Sequence, residues 1–180
     1  HQELNTTLNN INLLSELAKI KVDKDITKSK EFIDQIHEKS RRMIDAMDDM
    51  LWSIQPENDS MQKTLERMTE FAEGLKSTHD IHIDMIVDER VKSLQLDMKS
   101  RHELFLIYKE ALQNITQHSG ATVILIQLDL VKSNLSLKIN DNGSGYDQYI
   151  VAEGAGIKAM KNRAAVLNAD FDIQSDKKGT

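Results

Sequence analysis

Glu110, Asn114 and His118 follow one another at four-residue steps, so on a helix all three project from roughly one side. A row like this is also what a solvated helix face looks like, and the spacing alone leaves both readings open. The residues downstream add weight. Asp141-Asn142-Gly143-Ser144-Gly145 stands just after an alternating strand pattern, and Gly154-Ala155-Gly156 opens a helical one. Glycines at strand ends and helix starts permit positive φ angles and let a phosphate approach backbone N–H groups, where a helix dipole also favours an anion. Each glycine pair by itself is equally a good turn sequence. Their order behind Glu-xxx-Asn-xxx-His is the specific signal.

Elements of both kinds must position these residues. Leu4, Leu8, Ile11, Leu14, Leu17 and Ile20 recur at three- and four-residue steps and predict a first helix, with a turn at Asp23 to Thr27. Ile33, Ile36, Ser40, Met43, Met47, Met50 and Ile54 predict a second, closed by Pro56, the single proline. Phe32, Ile44 and Leu51 widen that seam beyond what one partner helix covers. Two such helical hairpins packed as a four-helix bundle would cover it, and a homodimer is the simplest way to supply them.

Asn58-Asp59-Ser60 offers N-cap chemistry for a third helix bearing Met61, Leu65, Met68, Ala72 and Leu75. A strand follows at Ile81 to Val87, then an amphipathic helix from Ser100 to His118. Strands at Val123 to Leu130 and Leu135 to Ile139 turn at Ser133-Asn134. After a glycine-rich loop come a helix from Gly156 to about Leu167 and a strand from Phe171 to Ser175. The second half thus reads as an α+β sandwich, helices against one face of a mixed sheet.

Composition narrows the function classes. A formal net charge of −6 gives no general attraction to nucleic acid or to an anionic membrane, so an anionic ligand must be held locally. Without cysteine there is neither a disulfide framework nor a thiolate metal site. The apolar runs Leu104 to Tyr108 and Val123 to Ile126 are too short to span a bilayer. The chain opens at His1 in mid-helical pattern, and the expectation is a fragment of something longer, with no membrane contact of its own.

Glu110 to His118 resembles the N box of the GHKL ATPases, Asp141 to Gly145 their first glycine box, and Gly154-Ala155-Gly156-Ile157, continuing to Met160, Arg163, Ala164 and Leu167, their second. Gly179-Thr180 is similar to the last GT element. His1-Gln2-Glu3-Leu4 with Leu8 and Ile11 resembles the phosphoacceptor segment of DesK/NarX-like sensor histidine kinases, and Leu51 to Ser60 resembles that group's hairpin exit. The resemblance implies residues 1–58 as a dimerisation and histidine-phosphotransfer hairpin forming a dimeric four-helix bundle. Residues 59–180 would then be a GHKL (Bergerat-type) ATP-binding α/β sandwich lacking its C-terminal strand.

It further implies ATP and Mg²⁺ as cofactors, a homodimer, and a response-regulator receiver domain as partner. Asn114 would coordinate the Mg²⁺ that bridges the ATP phosphates, Glu110 would orient metal-bound water, and His118 would lie near the phosphate chain. Asp141 would accept from the adenine amino group, supported by Thr180, with Gly143 and Gly145 allowing close passage of the base. Gly154 and Gly156 would border a lid whose body is 144–153. Arg163 would contact phosphate or form an ion pair on its own helix. His1 would attack the γ-phosphoryl group, since phosphoryl transfer needs an in-line nucleophile and neutralised charge.

Two positions depart from the pattern. Gln2 stands where the family usually has an acid, and an amide is not a general base. Thr6 stands where this subgroup often has a glutamine, while Asn5 occupies a place where other histidine kinases carry such an amide or hydroxyl. The competing functions are another GHKL ATPase in which water attacks, and a dimeric nucleotide-binding module with weakened catalysis. His79 and His82 have ligand-like spacing but no third ligand nearby. His37 and His102 read as surface residues.

Overall fold

The computed structural model describes residues 2–145, 154–175 and 179–180, with side chains from Thr6 onward. The chain divides into two compact units, His1–Trp52 and Ser53–Thr180.

The first unit holds α1 (Gln2–Lys21) and most of α2 (Ile26–Ile54). The connection between them is shorter and earlier than the expected Asp23 to Thr27, because Asp25 caps α2. Its Oδ1 accepts from the Lys28 amide at 3.0 Å, which draws Ile26 and Thr27 into the first helical turn. Across the connection the Ser29 hydroxyl donates to the Ala18 carbonyl at 3.0 Å, and both residues are buried. Much of the apolar pattern meets nothing within a single chain: Leu13, Ile20, Ile33, Ile44 and Leu51 are each more than half exposed.

α2 ends at Ile54, where the residue before Pro56 is forced to extended backbone (Gln55 φ −70°, ψ 127°). A single 3-10 turn, Pro56–Asn58, follows. Ser60 then caps α3 (Met61–Thr78), its hydroxyl oxygen accepting from the Lys63 amide at 3.1 Å. The stripe Met61, Leu65, Met68 and Ala72 is buried as its spacing predicts.

β1 (His82–Val87) turns Ile83 inward and His82, Asp84 and Ile86 outward. A short helix, α4 (Glu89–Lys92), which the sequence pattern does not announce, plugs Val91 into the core. α5 (Met98–Asn114) starts two residues before the expected Ser100 because Asp97 caps it, Oδ1 accepting from the Ser100 amide at 2.7 Å. Buried Arg101 ties this end down by donating to the Leu96 carbonyl and pairing with Asp59. β2 (Val123–Val131) pairs parallel with β1 and antiparallel with β3 (Asn134–Asp141), giving a three-stranded mixed sheet in the order β1-β2-β3.

The turn between β2 and β3 is centred on Lys132-Ser133, one residue before the expected Ser133-Asn134. Both central residues take positive φ, 49° and 70°, the combination that matches the twist of a two-residue hairpin. α6 (Ala155–Val166) completes the helices. No strand forms over 171–175. Phe171, Ile173 and Ser175 do alternate with exposed Asp172 and Gln174, but the described residues offer this segment no ladder partner, and alternation without a partner edge does not make a strand.

The core lies between α3, α5 and one sheet face. Leu104, Phe105, Tyr108 and Leu112 of α5 meet Met68 and Leu65 of α3 and the inward row Ile83, Ile124, Ile126 and Leu128. Each such aliphatic side chain contributes about 1.5–3 kcal/mol through burial. Phe71 stands edge-on to Phe105 and Tyr108, with ring centroids 6.3 and 6.2 Å away. The Tyr108 hydroxyl donates to the Met68 carbonyl at 2.8 Å, and burial pushes its pKa well above the ordinary 10.0. The result is a fixed platform under the C-terminal turns of α5.

Candidate functional site

The last turns of α5 carry Glu110 and Asn114, both half-buried. Directly opposite lies Gly156 in the first turn of α6. A Cβ placed on Gly156 would strike Glu110 Oε1 and sit 2.9 Å from Asn114 Nδ2 and 3.1 Å from its Oδ1. The absence of a Cβ lets the ends of these two side chains lie against the α6 backbone, and the contact gathers a carboxylate, an amide and a helix start in one place.

α5 passes into a π turn over Ile115–Ser119, and His118 lies on that turn, one four-residue step beyond Asn114. His118 is exposed there. The turn stops at Gly120, held in the left-handed region at φ 64°.

The π turn also reaches the second cluster. The Ser119 carbonyl accepts from the Ser144 amide at 2.9 Å and from the Ser144 hydroxyl at 3.2 Å. A Cβ on Gly143 would lie 2.6 Å from that same carbonyl oxygen and 2.7 Å from Asp141 Oδ1. Asp141, at the end of β3, is buried. Its Oδ1 accepts from the Gly143 amide at 2.8 Å, while Oδ2 is buried with no partner among the described residues. An unsatisfied buried carboxylate oxygen costs at least about 1–3 kcal/mol, and a ligand that donates a hydrogen bond there would recover it.

Gly179 and Thr180 close this cluster from the other side. Gly179, at φ 127°, presses against the Asp141 carbonyl, and the Asp141 amide donates to the Thr180 carbonyl at 2.8 Å. The Thr180 hydroxyl lies 3.0 Å from that of Ser175.

Asn142 has a structural role that the turn-like reading of its sequence did not show. Its Oδ1 accepts from both the Thr122 and Val123 amides at 2.9 Å, and its Nδ2 donates to the Thr122 hydroxyl at 3.0 Å. The side chain thereby clamps the start of β2 to the end of β3 and fixes where the Asp141 carboxylate points. An Asn between an acid and a glycine is a weak local signal, since these partners lie about twenty residues back.

Arg163 forms its ion pair neither on its own helix nor with any group of the second cluster. Its Nη1 lies 2.8 Å from Glu103 Oε2 on α5. Gly145 sits at φ 62° and Gly154 is the N-cap of α6, and of the expected lid body 144–153 all but Ser144 and Gly145 lies outside the described residues. His1 also lies outside them. His82 pairs with Asp84 at 3.1 Å and His79 with Thr78 at 2.8 Å; His37 is exposed, whereas His102 is half-buried instead of on the open surface.

The arrangement can bind a ligand with a hydrogen-bond donor at one end and anionic oxygens at the other. Asp141 suits an amino group. Asn114 and Glu110 offer hard oxygens, which suit a divalent cation shared with phosphate.

No family model matches the chain. Among curated proteins it is similar to the sensor histidine kinase YhcY of Bacillus subtilis (strain 168), with 28% identity over 179 residues, 97% of this chain and 45% of that protein. It is also similar to the sensor histidine kinase LiaS of the same strain, 31% identical over 118 residues, 64% of this chain and 31% of that one. The chain thus spans less than half the length of these relatives. Among solved structures, the Erythrobacter litoralis EL346 blue-light activated histidine kinase superposes with a TM-score of 0.66 at 14% identity, covering 99% of this chain and 56% of that one. The homologues of this chain are sensor histidine kinases, and its α+β fold is that of histidine kinase domains.

Proposed function

We propose that the chain is the catalytic core of a dimeric sensor histidine kinase of the DesK/NarX-like group, with a GHKL nucleotide pocket, and that it phosphorylates His1 from ATP. The observation that carries this reading is the buried Oδ2 of Asp141 beside Gly143, which has no partner among the described residues. It is an acceptor held where an adenine amino group would satisfy it.

Each end of the pocket has its own task. Asp141 reads the base, Gly143 and Gly145 allow it to approach, and the Gly179-Thr180 segment holds the Asp141 backbone. At the phosphate end Asn114 would hold the metal and Glu110 would orient a water of its shell, and both side chains lie against Gly156. Gly154 and Gly156 flank the start of α6, whose N–H groups favour anionic oxygens. His118 stands beside the phosphate chain. Mg²⁺, when bound, neutralises charge on the β- and γ-phosphates.

His1 supplies the nucleophile. A neutral ring nitrogen forms the bond to γ-phosphorus as the bond to the β-bridging oxygen breaks, ADP departs, and the other ring nitrogen loses its proton. The phosphoryl group then passes to an aspartate on a response-regulator receiver domain. Residues 1–58 serve dimerisation and phosphotransfer and 59–180 nucleotide binding. Among the described residues no helix is long and apolar enough to cross a membrane, and we place the chain in the cytoplasmic portion of a membrane-anchored sensor.

The test is incubation of the purified chain with γ-labelled ATP and Mg²⁺ beside His1→Ala and Asn114→Ala. Acid-labile label should appear on the parent and vanish from both variants. Label persisting in His1→Ala would remove the acceptor assignment, and calorimetry showing no ATP binding by the folded parent would remove the whole reading.

A further inference from the structure

The ion pair between Glu103 and Arg163 joins two helices whose residues lie sixty positions apart in sequence. The Glu103 side chain is 17% exposed and that of Arg163 29%, so the pair is sheltered enough to escape most of the screening that makes surface pairs worthless. Its place along the two helices matters more than its strength. Seven residues separate Glu103 from Glu110 on α5, and seven separate Gly156 from Arg163 on α6. Glu110 meets Gly156 and Glu103 meets Arg163, so α6 runs antiparallel to α5 and the two contacts lie two helical turns apart on both, about 10 Å.

Equal spacing makes the pair a register lock. Between the two contacts α6 buries Ile157 and Met160, and Ala164 is buried just beyond the second. Apolar ridges of this kind tolerate a slide of one turn far better than a directional ion pair does. A slide of one turn would carry Gly156 off Glu110 and Asn114 and bring a residue with a Cβ against them. The guanidinium is engaged with a carboxylate on α5, which accounts for Arg163 without a phosphate.

We propose that Glu103 and Arg163 are positioning residues of the nucleotide site. They hold the start of α6 against Glu110 and Asn114, and so govern the metal-dependent part of nucleotide binding while leaving base recognition at Asp141 alone. The inference rests on the proposed nucleotide pocket.

Its test is calorimetric titration of the whole chain with the non-hydrolysable analogue AMP-PNP, once with Mg²⁺ and once with chelator, the ratio of the two affinities being the readout. The parent should gain affinity from Mg²⁺. Glu103→Gln and Arg163→Gln should each reduce that gain roughly tenfold, with affinity in chelator little changed. The reversed pair Glu103→Arg with Arg163→Glu should restore most of it.

A reversed pair as poor as the single variants would overturn the proposal, as would single variants with the parent's ratio. So would a loss confined to Arg163→Gln, which would make that guanidinium a direct phosphate ligand. Loss of affinity in Mg²⁺ and chelator alike would reduce the pair to a general folding contact. A parent that binds no nucleotide in either condition sinks the pocket itself, a result distinct from all of these.

Discussion

At the scale of single residues, the site depends on places where an atom is missing. Gly156 has no Cβ, and the space that one would need is taken by Glu110 and Asn114. Gly156→Ala should therefore leave the fold in place but displace the ends of the Glu110 and Asn114 side chains at the proposed metal-binding end. Mg²⁺-dependent AMP-PNP affinity should fall by about tenfold or more, with a melting temperature within a few degrees of the parent. Unchanged affinity would show that the close approach is incidental. Asp141 is the complementary case, because its Oδ2 lacks a partner among the described residues. Asp141→Asn keeps the shape but can turn an N–H₂ towards the base. It should weaken ATP binding about tenfold or more while leaving melting temperature near the parent's, since Oδ1 can keep the Gly143 amide bond.

Tyr108 supplies a pH argument from the core. Burial raises its folded pKa above the ordinary 10.0, so the folded state holds the proton more tightly than the unfolded one. That contribution to stability is complete below about pH 10 and is lost as pH climbs from there towards the higher folded value. Denaturant midpoints should fall above pH 10, and less steeply in Tyr108→Phe. Tyrosinate absorbance should show one of the three tyrosines ionising only as the chain unfolds. Three tyrosines that all titrate reversibly near pH 10 would contradict the burial.

Periodicity works well at the scale of elements wherever a helix or strand finds a partner. The α3 stripe from Met61 to Ala72 and the alternation of β2 were both legible, because burial of one face is what a period encodes. It failed where tertiary contacts decide. The 171–175 segment alternates without pairing, α4 is too short to show a period, and no spacing in the sequence announces the π turn. The candidate site divides in the same way: Asn114 and Asp141 were visible as motif residues, whereas Glu103 and the Asn142 clamp act on partners far along the chain, which no local spacing reveals. The β2–β3 turn gives a direct check on element-scale reasoning. Ser133 sits at φ 70°, a region that strains any residue with a Cβ. Ser133→Gly should stabilise the chain by about 0.5 kcal/mol in urea unfolding, the relief of strain exceeding glycine's extra chain entropy. A loss of stability would mean that the turn does not hold this geometry.

At the scale of the whole molecule, the first unit carries more apolar surface than one chain can use. Ile36, Ser40 and Met43 are half-buried, but Ile44, Met47 and Leu51 are 59%, 46% and 52% exposed, at steps of three and four that form a continuous stripe. Ile33, three turns before Ile44, extends it at 54% exposed. Patches of this kind on a monomer mark a surface that something covers, and helix spacing suits another helix pair best. The proposed dimer meets this need with a second copy. Replacing Ile44 and Leu51 by glutamate places two charges on the stripe without touching any residue buried in the single chain. Sedimentation should show the parent as a dimer and the double variant as a monomer. AMP-PNP affinity should stay within about twofold of the parent, because every residue of the proposed nucleotide pocket belongs to Ser53–Thr180. A double variant that still sediments as a dimer would move the interface elsewhere, and one that loses nucleotide affinity would mean that the second unit does not hold its pocket alone.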